Sequence, residues 1–224
     1  MEIKVKKIVI LISLFTFLTG CVSTKNIRIS QQDLKQLSQN KIALTSREKP
    51  SFSAVTAEKA MFALVGAVAM IVAGNEIVEE NEIEDPANYI RESLAQELSE
   101  NYGFKINNSD TKKVSSSESS KIAKAFPNSD LVLDIETIGW SFAYFPTDWN
   151  NYRVIYSAKL RLIDTKKQSV LAEGFCSRVP EEDHTAPTHG ELLANKAERL
   201  KQELMIAANQ CIGEFKSEVF SIQS

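Results

Sequence analysis

Residues 131–164 constrain this chain more than any other part of it. Leu131, Leu133 and Ile135 alternate with Val132, Asp134 and Glu136, the two-residue period of a half-buried strand. Beyond Gly139 the large side chains change phase and fall on even positions, at Trp140, Phe142 and Tyr144. The pattern predicts a strand over Leu131–Phe145 with a bulge or sharp twist at Gly139. A second long strand follows over Tyr152–Asp164, with Tyr152, Val154, Tyr156, Ala158, Leu160 and Leu162 on one face. Thr165-Lys166-Lys167-Gln168 then turns the chain into Ser169–Val179, so three consecutive strands form a meander.

The meander needs a covering layer, and the flanking sequence supplies helices. Asp85-Pro86 reads as an N-cap followed by Pro at the first helical position. Ile90, Leu94 and Leu98 then step along one face, and Gly103 ends the helix. Thr188-His189-Gly190-Glu191 fits a capping box. It opens a last helix with Leu193, Ala197, Leu200, Leu204, Ala208, Cys211 and Phe215 on a continuous apolar stripe. Lys41–Thr45 and Phe104–Asn107 read as short strands, Ser120–Phe126 as a short helix, and residues 109–120 as an exposed loop. This order predicts an α+β fold: a mainly antiparallel sheet ending in the strand meander, with helices packed on it. The expected organisation is a leader over residues 1–20, a polar tether over 21–40 and one domain over 41–224.

Ala60–Ala73 carries no charge and no strongly polar side chain. A run of this length is shorter than a membrane span. An apolar helix over 60–74 is expected, buried or set in an interface. Ala63, Gly66, Ala67 and Gly74 recur at the small-residue spacing that lets helices approach closely, so they are the candidate interface residues.

The leader is read separately from the fold. Lys4, Lys6 and Lys7 precede the apolar run Ile8–Leu18, the pattern of an export signal. The following Leu18-Thr19-Gly20-Cys21 resembles the lipobox of bacterial lipoproteins. That resemblance implies cleavage before Cys21, lipidation of its thiol, and a membrane anchor needing no transmembrane helix. Val22 stands where an Asp would retain a lipoprotein at the inner membrane, so the resemblance implies an outer-membrane protein facing the periplasm. Export puts the other two cysteines in an oxidising compartment. Cys176 on the third meander strand and Cys211 on the last helix's stripe are expected to pair. The element order of residues 41–220 also resembles the curli-secretion lipoprotein and the N-terminal domain of the Tol β-propeller protein.

The formal charge of −3, with no basic tract, gives no electrostatic reason to expect nucleic acid. His184 and His189 have no ligand spacing to the cysteines, so no metal or cofactor is expected beyond the lipid on Cys21. Asp134 and Glu136 share one strand face, a placement a two-carboxylate hydrolase could use, but a solvated strand face is the simpler reading. Trp140, Tyr144, Trp149 and Tyr152 surround a strand-to-strand loop and form the candidate binding surface. The functional expectation is a non-enzymatic interaction or assembly module of the cell envelope, with a protein partner or a second copy of the chain. The alternatives are a pore-forming or secretion-complex subunit using residues 60–73, and an envelope hydrolase.

Overall fold

A computed structural model describes residues 26–181 and 185–222. The leader, Cys21 and His184 lie outside the described residues. Among the described residues seven strands form one sheet: β1 (Lys41–Ser46), β2 (Ser53–Val55), β3 (Lys105–Ile106), β4 (Lys112–Lys113), β5 (Leu131–Phe145), β6 (Asp148–Asp164) and β7 (Ser169–Arg178). The described helices are α1 (Gln31–Gln36), α2 (Ala57–Ala60), α3 (Ala63–Glu80), α4 (Pro86–Tyr102), α5 (Ser119–Ala125) and α6 (His189–Glu214).

The fold is α+β, and its sheet is dominated by the antiparallel meander β5–β6–β7. The β5–β6 register shifts between Thr137 and Gly139, which leaves Ile138 unpaired and half exposed, as the phase change predicts. The bulge has a clear effect on packing. It returns Trp140 and Phe142 to the same core as Leu131, Leu133 and Ile135. Outside the meander the pairing is parallel. β1 runs along the first half of β5 (Ile42 opposite Leu131) and β2 along its second half (Ser53 opposite Ser141).

Helices α4 and α6 cover the main apolar face of the sheet through Ile90, Leu94, Leu98, Leu200, Leu204 and Ala208. The opposite face holds a smaller cluster in which Ala43, Val132 and Ile163 lie under Val114 and under Ile122 and Phe126. Cap residues behave as their chemistry requires. The Asp85 carboxylate accepts from the Ala87 N–H, and Gly103 takes the left-handed C-cap at φ 72°. Thr188 and Glu191 make both bonds of the capping box. Cys176 and Cys211 are disulfide-bonded with Cα atoms 5.4 Å apart, which staples α6 to β7. In the loop-closure model a 35-residue separation corresponds to about 4 kcal/mol.

Four expectations need correction. Residues 26–40 are part of the domain rather than a tether. Ile27 pairs with Glu173 at the edge of β7, Ile29 donates its N–H to the Val219 carbonyl, and Leu34 is fully buried. The polarity of the segment hid three apolar anchors spaced along it. Residues 109–120 are likewise not a plain exposed loop: β4 pairs with β1, and Val114 is buried.

The third correction concerns the apolar helix. It runs on to Glu80, and Met61, Phe62, Val68 and Val72 are half or more exposed. No described helix is long and apolar enough to cross a membrane. Val78 enters the core near the end of α3, and its closest contacts are made at glycines. A Cβ on Gly74 would stand 2.1 Å from the Phe52 carbonyl oxygen, and one on Gly66 would stand 2.0 Å from that of Lys59. Asn75 accepts from the Phe52 N–H, so α3 covers the edge strand β2 with backbone-to-backbone closeness.

The fourth is a break in α6. Ala194 is extended, and Asn195, Lys196 and Ala197 have φ between 51° and 58°. The apolar stripe is therefore interrupted, although Leu192, Ala197 and Leu200 are all buried. The first turn is tied to the end of β6 by the Tyr152 N–H, which donates to the Pro187 carbonyl, while the disulfide fixes the other end. Each left-handed non-glycine residue costs about 1–2 kcal/mol.

Two substitutions test these features. Lys196 is exposed, so Lys196→Gly should raise thermal stability by about 1 kcal/mol, where in an unbroken helix it would lower it by a similar amount. Gly74→Ala must separate α3 from β2 and should cost about 1–3 kcal/mol in chemical denaturation.

Candidate functional site

The expected aromatic surface splits in two. Trp140 is buried and donates its indole N–H to the Pro50 carbonyl, and Tyr152 is buried with its ring edge-on to Phe142. Only the hairpin tip remains open. Trp149 is 61% exposed and stands edge-on to the half-buried Tyr144, 6.4 Å between ring centres. Trp140 and Tyr152 point to the core because the bulge and the strand period place them there. His189, the first residue of α6, lies against Phe142 and Tyr152, and partial burial lowers its pKa from the ordinary value.

Asp134 and Glu136 form neither a solvated face nor an open carboxylate pair. Asp134 is fully buried. Its Oδ1 accepts from Thr45 and from Arg47 Nε, both at 2.8 Å, and its Oδ2 accepts from Arg47 Nη2 at 3.0 Å and Arg161 Nε at 2.9 Å. Glu136 bridges the same two guanidinium groups. The arginines also donate to the carbonyls of Ser116 and Ser117, which pins the segment leading into α5 over the sheet. The cluster joins β1, β5 and β6, and its geometry is that of a structural lock with both Asp134 oxygens occupied.

The sequence-based interface residues separate as well. Gly66 and Gly74 face the chain's own backbone, Ala63 opens α3, and Ala67 lies on the exposed side with Val68, Ile71 and Val72. Met61 and Phe62 extend this flank at 77% and 70% exposure. The flank carries no charge between Lys59 and Glu76. A contiguous apolar patch on a folded domain marks an interaction surface.

A groove of about 430 Å³ between the start of α4 and the middle of α6 was not foreseen. Ile83, Pro86, Leu204, Met205 and Ala208 line its apolar part, and Glu82, Glu84, Glu92 and Lys201 line its rim. Asp85 stands in its wall. The carboxylate Oδ1 takes the Thr137 hydroxyl at 2.5 Å and the Ala87 N–H at 2.9 Å, and Thr137 is 3.0 Å from the Tyr156 hydroxyl. Burial raises the Asp85 pKa, against the opposing pull of the Thr137 and Ala87 bonds and of Lys49 and Arg91. Burial and the Asp85 charge together raise that of Tyr156. The sequence marks Asp85 as a helix cap. Nothing local in it announces that Thr137 of β5 would reach this carboxylate, or that the Tyr156 hydroxyl of β6 would stand behind Thr137.

No family model matches the sequence, and no curated protein matches it. Solved structures give distant likenesses. One is a PelC dodecamer from Paraburkholderia phytofirmans, at 13% identity over 88% of this chain and 94% of that one, with a TM-score of 0.34. Another is a neuraminyllactose-binding hemagglutinin homolog from Helicobacter pylori, at 11% identity over 80% and 82%, with a TM-score of 0.37. A third is lipoprotein GNA1162 from Neisseria meningitidis, at 15% identity over 77% and 97%, with a TM-score of 0.28. TM-scores this low carry no inference about site or function.

The Asp85 wall makes a signed prediction. A carboxyl whose folded pKa lies above its unfolded value favours folding below the unfolded value, and that contribution is lost as pH rises through the folded one. Near pH 7, above the unfolded value, the Asp85 carboxyl therefore counts against folding. Asn at this position keeps the cap acceptor and removes the charge. Asp85→Asn should be at least as stable as the parent at pH 7 in thermal unfolding, with the difference shrinking as pH falls back towards 4. A uniform loss at every pH would contradict this.

Proposed function

We propose that this chain is a lipoprotein held to the outer membrane by a lipid on Cys21, and that its periplasmic domain is a non-enzymatic interaction module of the cell envelope. The observation that carries this reading is the uncharged flank on which Met61, Phe62, Val68, Ile71 and Val72 are exposed, on a domain whose core is otherwise closed. Chain geometry supports a protein rather than a lipid as its partner. Asn26 is five residues from Cys21, a reach of at most about 17 Å. It leads into Ile27 at the β7 edge of the sheet, while α3 covers β2 on the other side of β5. Ile27 and β2 are separated by four strand spacings of about 4.8 Å each, before the helix itself is added. An anchor near Ile27 leaves the α3 flank turned to the far side of the domain.

The same flank favours one second reading, a subunit of a pore-forming or secretion complex in which α3 packs between copies of the chain. Its lack of charge suits that role equally, and detergent-dependent rings of the purified protein would identify it.

In cells, Cys21→Ser should move the protein from the membrane fraction to the soluble fraction with an unchanged melting temperature. In the lipidated protein, Val68→Glu should leave stability within about 0.5 kcal/mol, since that side chain is 64% exposed. It should also abolish the crosslinked complex seen with the parent chain. A Val68→Glu protein that unfolds, or that keeps its complex, would remove the support for this reading.

A further inference from the structure

Among the described residues, the arginines at one end of the sheet are matched by carboxylates and those at the other end are not. Arg47 and Arg161 meet two carboxylates, Asp134 and Glu136. At the opposite end Arg153 of β6, Arg178 of β7 and Arg199 of α6 line one cavity of about 120 Å³. Among the described residues the buried carboxylate lining it is Glu203, which Arg178 and Arg199 share at 3.1 and 2.9 Å. Glu181, also on the wall, is exposed.

Arg153 has no ion-pair partner among the described residues. Its Nη1 donates to the Pro180 carbonyl at 3.1 Å, and its guanidinium carbon stands 5.3 Å from the centre of the buried Phe145 ring. These two contacts orient the group, yet its buried Nε finds no acceptor. A buried donor left without an acceptor is costly, and such a group in a cavity marks the place of a missing acceptor.

The backbone explains why the cavity exists. β7 ends at Arg178 opposite Tyr156, so β6 runs on towards Tyr152 without β7 beside it. Pro180 and Pro187 line the cavity there, and the Tyr152 N–H donates to the Pro187 carbonyl. The prolines and Tyr152 form rigid walls, and the arginines supply the polar lining.

We propose that this cavity binds a small oxyanion, a carboxylate or a phosphate group, held by Arg153 together with Arg178 and Arg199. The planar guanidinium fork matches both groups, and its charge-assisted bonds are the stronger kind. The volume lies below the range of about 300–1,000 Å³ typical for whole organic ligands. The cavity therefore takes the anionic group, and any larger carrier extends through the mouth.

The test uses the full mature lipidated protein in a neutral detergent. Inorganic phosphate and malonate are titrated separately, with sodium chloride holding ionic strength constant, and thermal unfolding is recorded. One or both should give a saturable rise of roughly 3–5 °C at tenfold excess over Kd. Which of them acts distinguishes phosphate from carboxylate recognition. Arg153→Gln should weaken the apparent affinity at least tenfold. Arg199→Gln, at a half-exposed position that leaves folding intact, should weaken it several-fold and carries the test if Arg153→Gln does not fold.

Absence of a saturable shift with both anions would overturn the proposal, and so would equal shifts in parent and variants. Binding seen only after the paired change Glu182→Gln and Asp183→Asn would also overturn it. The arginines would then serve the chain's own acidic segment rather than a ligand.

Discussion

The β5–β6 ladder is the interaction on which the rest of this structure depends. Its antiparallel register runs from Leu131 opposite Asp164 to Phe145 opposite Asp148, and one unpaired residue, Ile138, keeps both halves of β5 facing the same core. Without that bulge, Trp140 and Phe142 would turn to the opposite face, since a one-residue slip inverts every side chain that follows. The ladder also carries the parallel additions. β1 and β2 take successive stretches of the same edge of β5, and the charged lock forms where β1 gives way to the link between them. Arg47 reaches across from that link to Asp134, and Arg161 reaches the same carboxylate from β6.

A buried cluster of this kind is weak evidence for net stability, and its weight lies in what the loss of one member leaves unpaired. Removing one member of such a set typically costs about 3–5 kcal/mol, because its partners are left charged and unpaired. Here the partners come from three strands and from the segment before α5, so the lock fixes how β1, β5, β6 and that segment sit together. The disulfide does the equivalent work on the other face, where it holds α6 to β7. With both faces fastened, the apolar surface left outside is concentrated on α3. That contrast gives the α3 flank its meaning.

Much of the fold was legible because it rests on local periodicity. The alternation at Leu131–Ile135 and Tyr152–Leu162, the phase change at Gly139, the Asp85-Pro86 start and the Thr188–Glu191 box all correspond to observed elements. Cys176 and Cys211 were legible as a pair because each lies on an inward face. What escaped depends on partners distant in sequence. Asp134 looks like a solvated residue until Arg47 and Arg161 converge on it. Ile27 and Leu34 look like parts of a tether until β7 and the closing π-helical turn Phe215–Val219 present a surface to them. The exposure of α3 was hidden because an apolar run signals burial in general, and here two glycines bring the backbone inward while Val68, Ile71 and Val72 stay outside. The left-handed turn at Asn195–Ala197 has no local signal, since neither Gly nor Pro occupies it.

The central claim is that this domain is closed around its sheet and meets its partner through α3. A photo-crosslinking side chain placed at Val68 of the protein in intact cells tests it most directly, with Gln96 on the exposed side of α4 as the comparison position. The account predicts a discrete protein adduct from Val68, to a second copy of the chain or to one other polypeptide, and none from Gln96. Adducts from Val68 to lipid alone, or to nothing, would contradict it.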